Sequence, residues 1–104
     1  MASEAAFAPV LELDEAVRWR AEQRAAGRIV VTTNGVFDLL HAGHVGYLAW
    51  ARAQGDALLL LLNRDESVQL LGKGPDRPLV PFADRARVLS GLRSVDAIVA
   101  SGMP

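Results

Sequence analysis

TNGVFDLLHAGH, residues Thr33 to His44, carries both histidines of the 104-residue chain and decides how the rest is read. Just before it, Ile29-Val30-Val31-Thr32-Thr33 is a continuous β-branched run, the pattern of a buried parallel strand, and Asn34-Gly35 punctuates it. From Gly43 or His44 onward, Val45, Leu48, Ala49 and Arg52 recur at helical spacing, and Gly55 before Asp56 suits a left-handed cap at the helix end. The loop between them therefore lies at the carboxyl end of a parallel strand, beside a helix N-terminus. That is where α/β folds bind anions.

Working outward, a first helix is expected over about Asp14 to Ala26, with Leu13, Ala16, Val17 and Arg20 on one side and Gly27 closing it. After it come a strand over 29–33, a helix over 43–54, a strand over 57–62 and a short helix near 64–71. A Gly72-Lys73-Gly74-Pro75 loop, a helix near 82–92 and a strand over 95–99 complete the chain. Three apolar strands separated by helices imply an α/β fold, a single domain over 1–104 with a parallel sheet and right-handed crossovers. Trp19 and Trp50 read as packing anchors or interface residues.

A formal charge of −1 gives no general attraction to nucleic acid or to an anionic membrane surface. The absence of cysteine excludes a disulfide scaffold and a thiol nucleophile. The opening MASEAAFAP lacks a basic start and a long apolar run, and Leu58 to Leu62 is too short to span a bilayer. A cytoplasmic enzyme is the expectation.

The chemistry follows from the loop. A helix start offers unpaired N–H groups and partial positive charge, which suit a triphosphate. His41 and His44, three residues apart, fall on one side of a helical turn, where both imidazoles can face one phosphoryl group. Gly43, without a Cβ, leaves room for a nucleotide to approach the backbone. Imidazoles can donate hydrogen bonds while charge shifts toward departing pyrophosphate, so the substrate itself supplies the nucleophile. A protein-ligated metal lacks a third ligand nearby, the closest carboxylate being Asp38. Asp38 either caps the following turn or acts directly, and the two roles are compatible. Lys73 sits on a loop suited to closing over phosphates. Arg77 has the fork to grip a phosphate of either substrate. Asn63 ends the second apolar strand on the same edge as the histidine loop, or else starts a helix; Arg85 lies one turn into the next helix, where an ordinary surface arginine is the alternative.

At His41-Ala42-Gly43-His44, preceded by Asn34-Gly35-x-Phe37-Asp38-Leu39-Leu40, the chain resembles the HxGH nucleotidyltransferases. Asn63-x-Asp65-x-Ser67-Val68, Leu71-x-Lys73-Gly74-x-x-Arg77-Pro78, Arg85-x-x-Val88-Leu89 and Val95-Asp96 extend the likeness toward bacterial D-glycero-D-manno-heptose 1-phosphate adenylyltransferases, from about Leu11 to the C-terminus. The resemblance implies a Rossmann-like sheet and joins ATP, with Mg²⁺, to a sugar 1-phosphate with release of pyrophosphate. It assigns catalysis to His41, His44 and Lys73, and phosphate binding to Asn34, Gly35, Val36, Phe37 (through its backbone N–H), Asp38 and Gly43. Asn63, Asp65, Arg77 and Arg85 fall to the substrates. CTP with a phosphorylated alcohol or phosphonate acceptor is the alternative within the chemistry, and a nucleotide-binding fragment without turnover is the alternative outside it. The resemblance also implies two further strands after the segment matching Ser101 to Pro104, so that Ile29-Val30-Val31 is expected as an open edge. A homodimer or a partner chain is then expected to cover it.

Overall fold

Five successive leucines, Leu58 to Leu62, need a place without water on either side, and the sheet provides one. The computed structural model describes residues 4–70 and 76–102. After a 3₁₀ turn at Glu4–Ala6, the elements in chain order are β1 (Val10–Leu11), α1 (Leu13–Ala25), β2 (Val30–Gly35), α2 (Ala42–Arg52), β3 (Ala57–Asn63), α3 (Asp65–Leu70), α4 (Phe82–Ser90) and β4 (Ala97–Ser101). All strand pairs are parallel, in the order β1-β4-β3-β2. β3 lies between β2 and β4, and six of its seven residues are buried.

Alternation along β3 divides the core. Leu58, Leu60 and Leu62 join Phe37, Leu48, Ala51, Ala86, Leu89 and Ile98 beneath α2 and α4. Leu59 and Leu61 turn to the other face, where Ala16, Ala97, Val99 and Trp19 meet them beneath α1. An aspartate before each inner strand fastens its neighbour: Ile29 N–H donates to Asp56 Oδ2 and Leu58 N–H to Asp96 Oδ2, each at 2.7 Å. Arg52 Nε also reaches Asp96, at 3.0 Å. The parallel α/β class, the helices and the three longer strands agree with expectation, with ends shifted by one or two residues.

Three readings change. β1 was not expected; two residues suffice because β4 supplies the partners, Val10 opposite Ile98 and Leu11 opposite Val99. On α1, Leu13 and Val17 are 72% and 61% exposed; of the expected face only Ala16 is buried, and Trp19 packs beside it against the sheet. Gly27 does take the left-handed conformation (φ 77°), but Gly55 does not. A Cβ at Gly55 would lie 2.8 Å from the Ile29 carbonyl oxygen, so close approach to the entry of β2 is what requires glycine there. Trp50 is 61% exposed, whereas Trp19 packs. Lys73 and its loop lie outside the described residues. β2 is an edge strand, and Ile29 just before it is 64% exposed.

Candidate nucleotide site

β2 ends at Asn34-Gly35, and β3 ends one register step farther, at Asn63. Both therefore deliver their last residues to the carboxyl edge of the sheet, where the chain from Val36 to His41 crosses to α2. α2 starts at Ala42 with His41 as its N-cap, in extended conformation. Gly43 N–H donates to His41 Nδ1 at 3.0 Å, and His41 N–H donates to His44 Nδ1 at 3.2 Å. Two imidazoles thus perform the reciprocal capping that Ser or Thr with Glu usually performs.

This cap fixes the tautomers. Each Nδ1 accepts, so the neutral rings carry their proton on Nε2, an assignment made from the hydrogen bonds. The rings stack with centroids 4.0 Å apart, and Phe37 meets His44 edge to face at 5.3 Å. Burial, then the neighbouring His41, lowers the pKa of His44 below its ordinary 6.5. The unfolded chain therefore binds the extra proton first. This contribution to stability is full above about pH 6.5 and is lost as pH falls from there through the folded value. In an NMR titration the His44 ring protons are expected to move with a midpoint below 6.5.

Gly43 is also required by the cap itself. A Cβ there would stand 2.8 Å from His41 Cε1, so the space is taken by the capping imidazole. Gly35 is similarly filled: its Cβ would stand 2.6 Å from Cε2 of Phe37, a buried residue held at φ 51°. Gly35→Ala is expected to destabilise the chain by about 1–3 kcal/mol through overpacking, readable in a urea unfolding midpoint.

A cavity of about 800 Å³ opens over these residues. Asn34, Gly35, Val36, Phe37, Asp38, His41, His44, Asn63 and Arg77 line it, so nine of the expected residues come together. Leu39, 53% exposed, also lines it and was not expected. A hydrophobic residue in a loop gives no signal of its own. A more apolar groove of about 540 Å³ lies elsewhere, where Phe7, Pro9 and Phe82 face Arg87, and contains none of the expected residues.

Four expected ligand-binding side chains, Asp38, Asp65, Arg85 and Asn63, are engaged in the walls. Asp38 accepts from Arg77 at 2.8 Å and from the Leu79 and Val80 amides at 2.9 and 2.8 Å. Burial alone would raise its pKa, but those amides and the guanidinium outweigh it and hold the carboxyl at about 2. It neither caps its own turn nor has the pKa of a base; it fastens segment 77–80 to the histidine loop. Asp65 Oδ1 accepts from the Phe82 amide at 3.0 Å and from Arg85. Arg85, far from being a surface arginine, is 2% exposed and donates within the wall, so it does not reach a ligand as expected. Asn63 Nδ2 donates to Ser67 Oγ at 3.1 Å. Among the described residues, no three His, Cys, Asp or Glu side chains converge to hold a metal ion.

Comparison with known proteins places this geometry. The bifunctional protein HldE of Alcanivorax borkumensis is 54% identical over 79 residues, covering 76% of this chain and 16% of that one. HldE of Shewanella piezotolerans is 48% identical over 97 residues, covering 93% of this chain and 20% of that one. The chain thus spans about a fifth of the length of these relatives. The crystal structure of the lipopolysaccharide core biosynthesis protein from Thermoplasma volcanium GSS1 superposes with a TM-score of 0.67 at 35% identity, over 72% of this chain and 59% of that one. The Cytidylyltransferase-like family description matches residues 32–102, from β2 through β4. With its paired imidazoles at the carboxyl edge of a parallel sheet, the chain belongs to the cytidylyltransferase-like family of nucleotidyltransferase domains.

Proposed function

We propose that this domain transfers adenosine monophosphate from ATP to a sugar 1-phosphate, heptose 1-phosphate foremost, and releases pyrophosphate. An acceptor phosphate oxygen forms a bond to the α-phosphorus as the bond to the departing pyrophosphate breaks. The single observation that carries the reading is the reciprocal cap: it leaves two Nε2–H donors at one cavity that Arg77 also lines. Donors fixed beforehand need no reorganisation as charge develops, and each such donor is worth about 10²–10³ in rate. His41 and His44 would stabilise the transferring phosphoryl group. Arg77 would hold a phosphate of the acceptor or of the triphosphate, and Lys73 would neutralise triphosphate charge. Mg²⁺ would arrive with the nucleotide and neutralise its charge.

The sugar acceptor is supported by the resemblance to heptose 1-phosphate adenylyltransferases and by the likeness to the Thermoplasma volcanium protein, a lipopolysaccharide core biosynthesis protein. A cytoplasmic location goes with that reading, and among the described residues no helix is long and apolar enough to cross a membrane. The test is pyrophosphate release by the purified chain with Mg²⁺, offering ATP or CTP against heptose 1-phosphate and a panel of phosphorylated alcohols. Turnover with ATP and heptose 1-phosphate is expected. Turnover confined to CTP transfers the reading to a cytidylyltransferase, and silence from folded protein that binds nucleotide leaves a binding domain.

A further inference from the structure

We infer that Arg85 is a positioning residue that holds the two walls of the cavity at their working separation; the inference rests on the proposed nucleotide site. Its side chain, 1% exposed, leaves α4 and reaches three separate segments. Nε donates to the Val80 carbonyl at 2.8 Å. Nη1 donates to the carbonyls of Val36 at 2.8 Å and Asn63 at 2.9 Å, and Nη2 donates to Asp65 Oδ1 at 2.6 Å. Val36 belongs to the histidine-loop wall and Asn63 to the end of β3, and both line the cavity.

Val80 is held at both ends of its backbone: Asp38 takes its N–H and Arg85 its carbonyl. Arg77, three residues earlier, is thereby carried on a segment fixed to both walls.

A buried guanidinium is a costly way to fill space, because it must be stripped of water and paired. An aliphatic side chain would pack α4 more simply. What the arginine adds is a rigid planar fork whose donors point in several directions at once, a geometry that lysine cannot copy. The elements joined are distant in sequence, at separations of 49, 22 and 20 residues from Arg85 to Val36, Asn63 and Asp65. Removing the fork leaves three carbonyls and one carboxylate to find other partners, and the walls are then free to shift.

The experiment compares the full chain with Arg85→Met, Arg85→Lys and a stability control, Leu59→Ala, which opens the core on the opposite face of the sheet. ATP and CTP affinities are measured with Mg²⁺ at a temperature where each protein is folded, beside thermal midpoints and amide hydrogen exchange. Both Arg85 variants are expected to weaken the preferred nucleotide at least tenfold and to speed exchange in segments 34–40 and 76–82. Leu59→Ala is expected to lower the thermal midpoint while leaving affinity within about twofold. Should Arg85→Met fail to fold, Arg85→Lys alone carries the comparison. Unchanged affinity in a folded Arg85 variant overturns the inference, as does an equal loss in Leu59→Ala. If the parent chain binds neither nucleotide, the proposed function fails separately, and exchange decides: acceleration confined to the two walls supports the clamp, and uniform acceleration overturns it.

Discussion

His44→Ala is expected to lower turnover by about 10²–10³ while leaving nucleotide affinity within about threefold, since a donor that strengthens only as charge develops contributes to rate and little to ground-state binding. The simple substitution has a second effect, because His44 Nδ1 also accepts the His41 amide that starts α2. Loss of such a cap costs about 0.5–2 kcal/mol of stability. His41 offers a cleaner separation. Asparagine is a favoured N-cap, so His41→Asn can keep an acceptor for the Gly43 amide while removing the Nε2–H donor. A thermal midpoint near that of the parent, together with turnover reduced at least a hundredfold in the pyrophosphate assay, is the expected pair. Turnover within tenfold of the parent in both variants would remove the imidazoles from the chemistry.

The second large effect is structural and has a pH signature. Asp38→Ala strips the acceptor from two backbone amides and a guanidinium, and hydrogen bonds to a charged group are each worth about 1.5–3 kcal/mol. Allowing for partial rehydration of the freed donors, a loss of about 2–4 kcal/mol is expected from urea unfolding at neutral pH. Arg77 would lose its tether too, so the KM of whichever substrate it holds, acceptor or triphosphate, should rise more than kcat falls. The folded pKa of about 2 lies below the ordinary 3.8, so in that interval the unfolded chain holds more protons. The contribution is therefore complete above about pH 4 and disappears as pH falls toward 2. Asp38→Asn should flatten this acid dependence. A variant that unfolds along the parent's pH curve would show that other carboxylates control it.

What could be read from the sequence was local. The β-branched run before Asn34-Gly35 and the helical spacing after Gly43 located the strand, the loop and the helix that carry both imidazoles, because each depends on neighbours a few residues away. Contacts between distant segments left no such trace. Asp38 finds its partners about forty residues on, and Arg85 closes a wall whose members are scattered from Val36 to Val80. Val10 and Leu11 have no strand signal of their own; β4 makes them one. Leu13, Val17 and Arg20 were grouped with Ala16 on one side of α1, whereas the sheet surface takes Ala16 together with Trp19. Gly43 and Gly35 were recognised as necessary, yet the ring each one accommodates lay outside what a linear pattern can reveal.

Trp19 packs among Leu59, Ala97 and Val99 beneath α1, and Trp50 stands exposed on α2 beside Tyr47, on the opposite side of the sheet. The chain thus contains two natural fluorophores in different surroundings. Acrylamide should quench Trp50 readily in the folded state and the partly buried Trp19 less, with Trp19 reaching full accessibility when α1 leaves the sheet. With Trp50→Phe, emission would follow the docking of one helix; with Trp19→Phe, it would follow events around α2 and β2. Each face of the molecule can therefore be watched optically without an attached label.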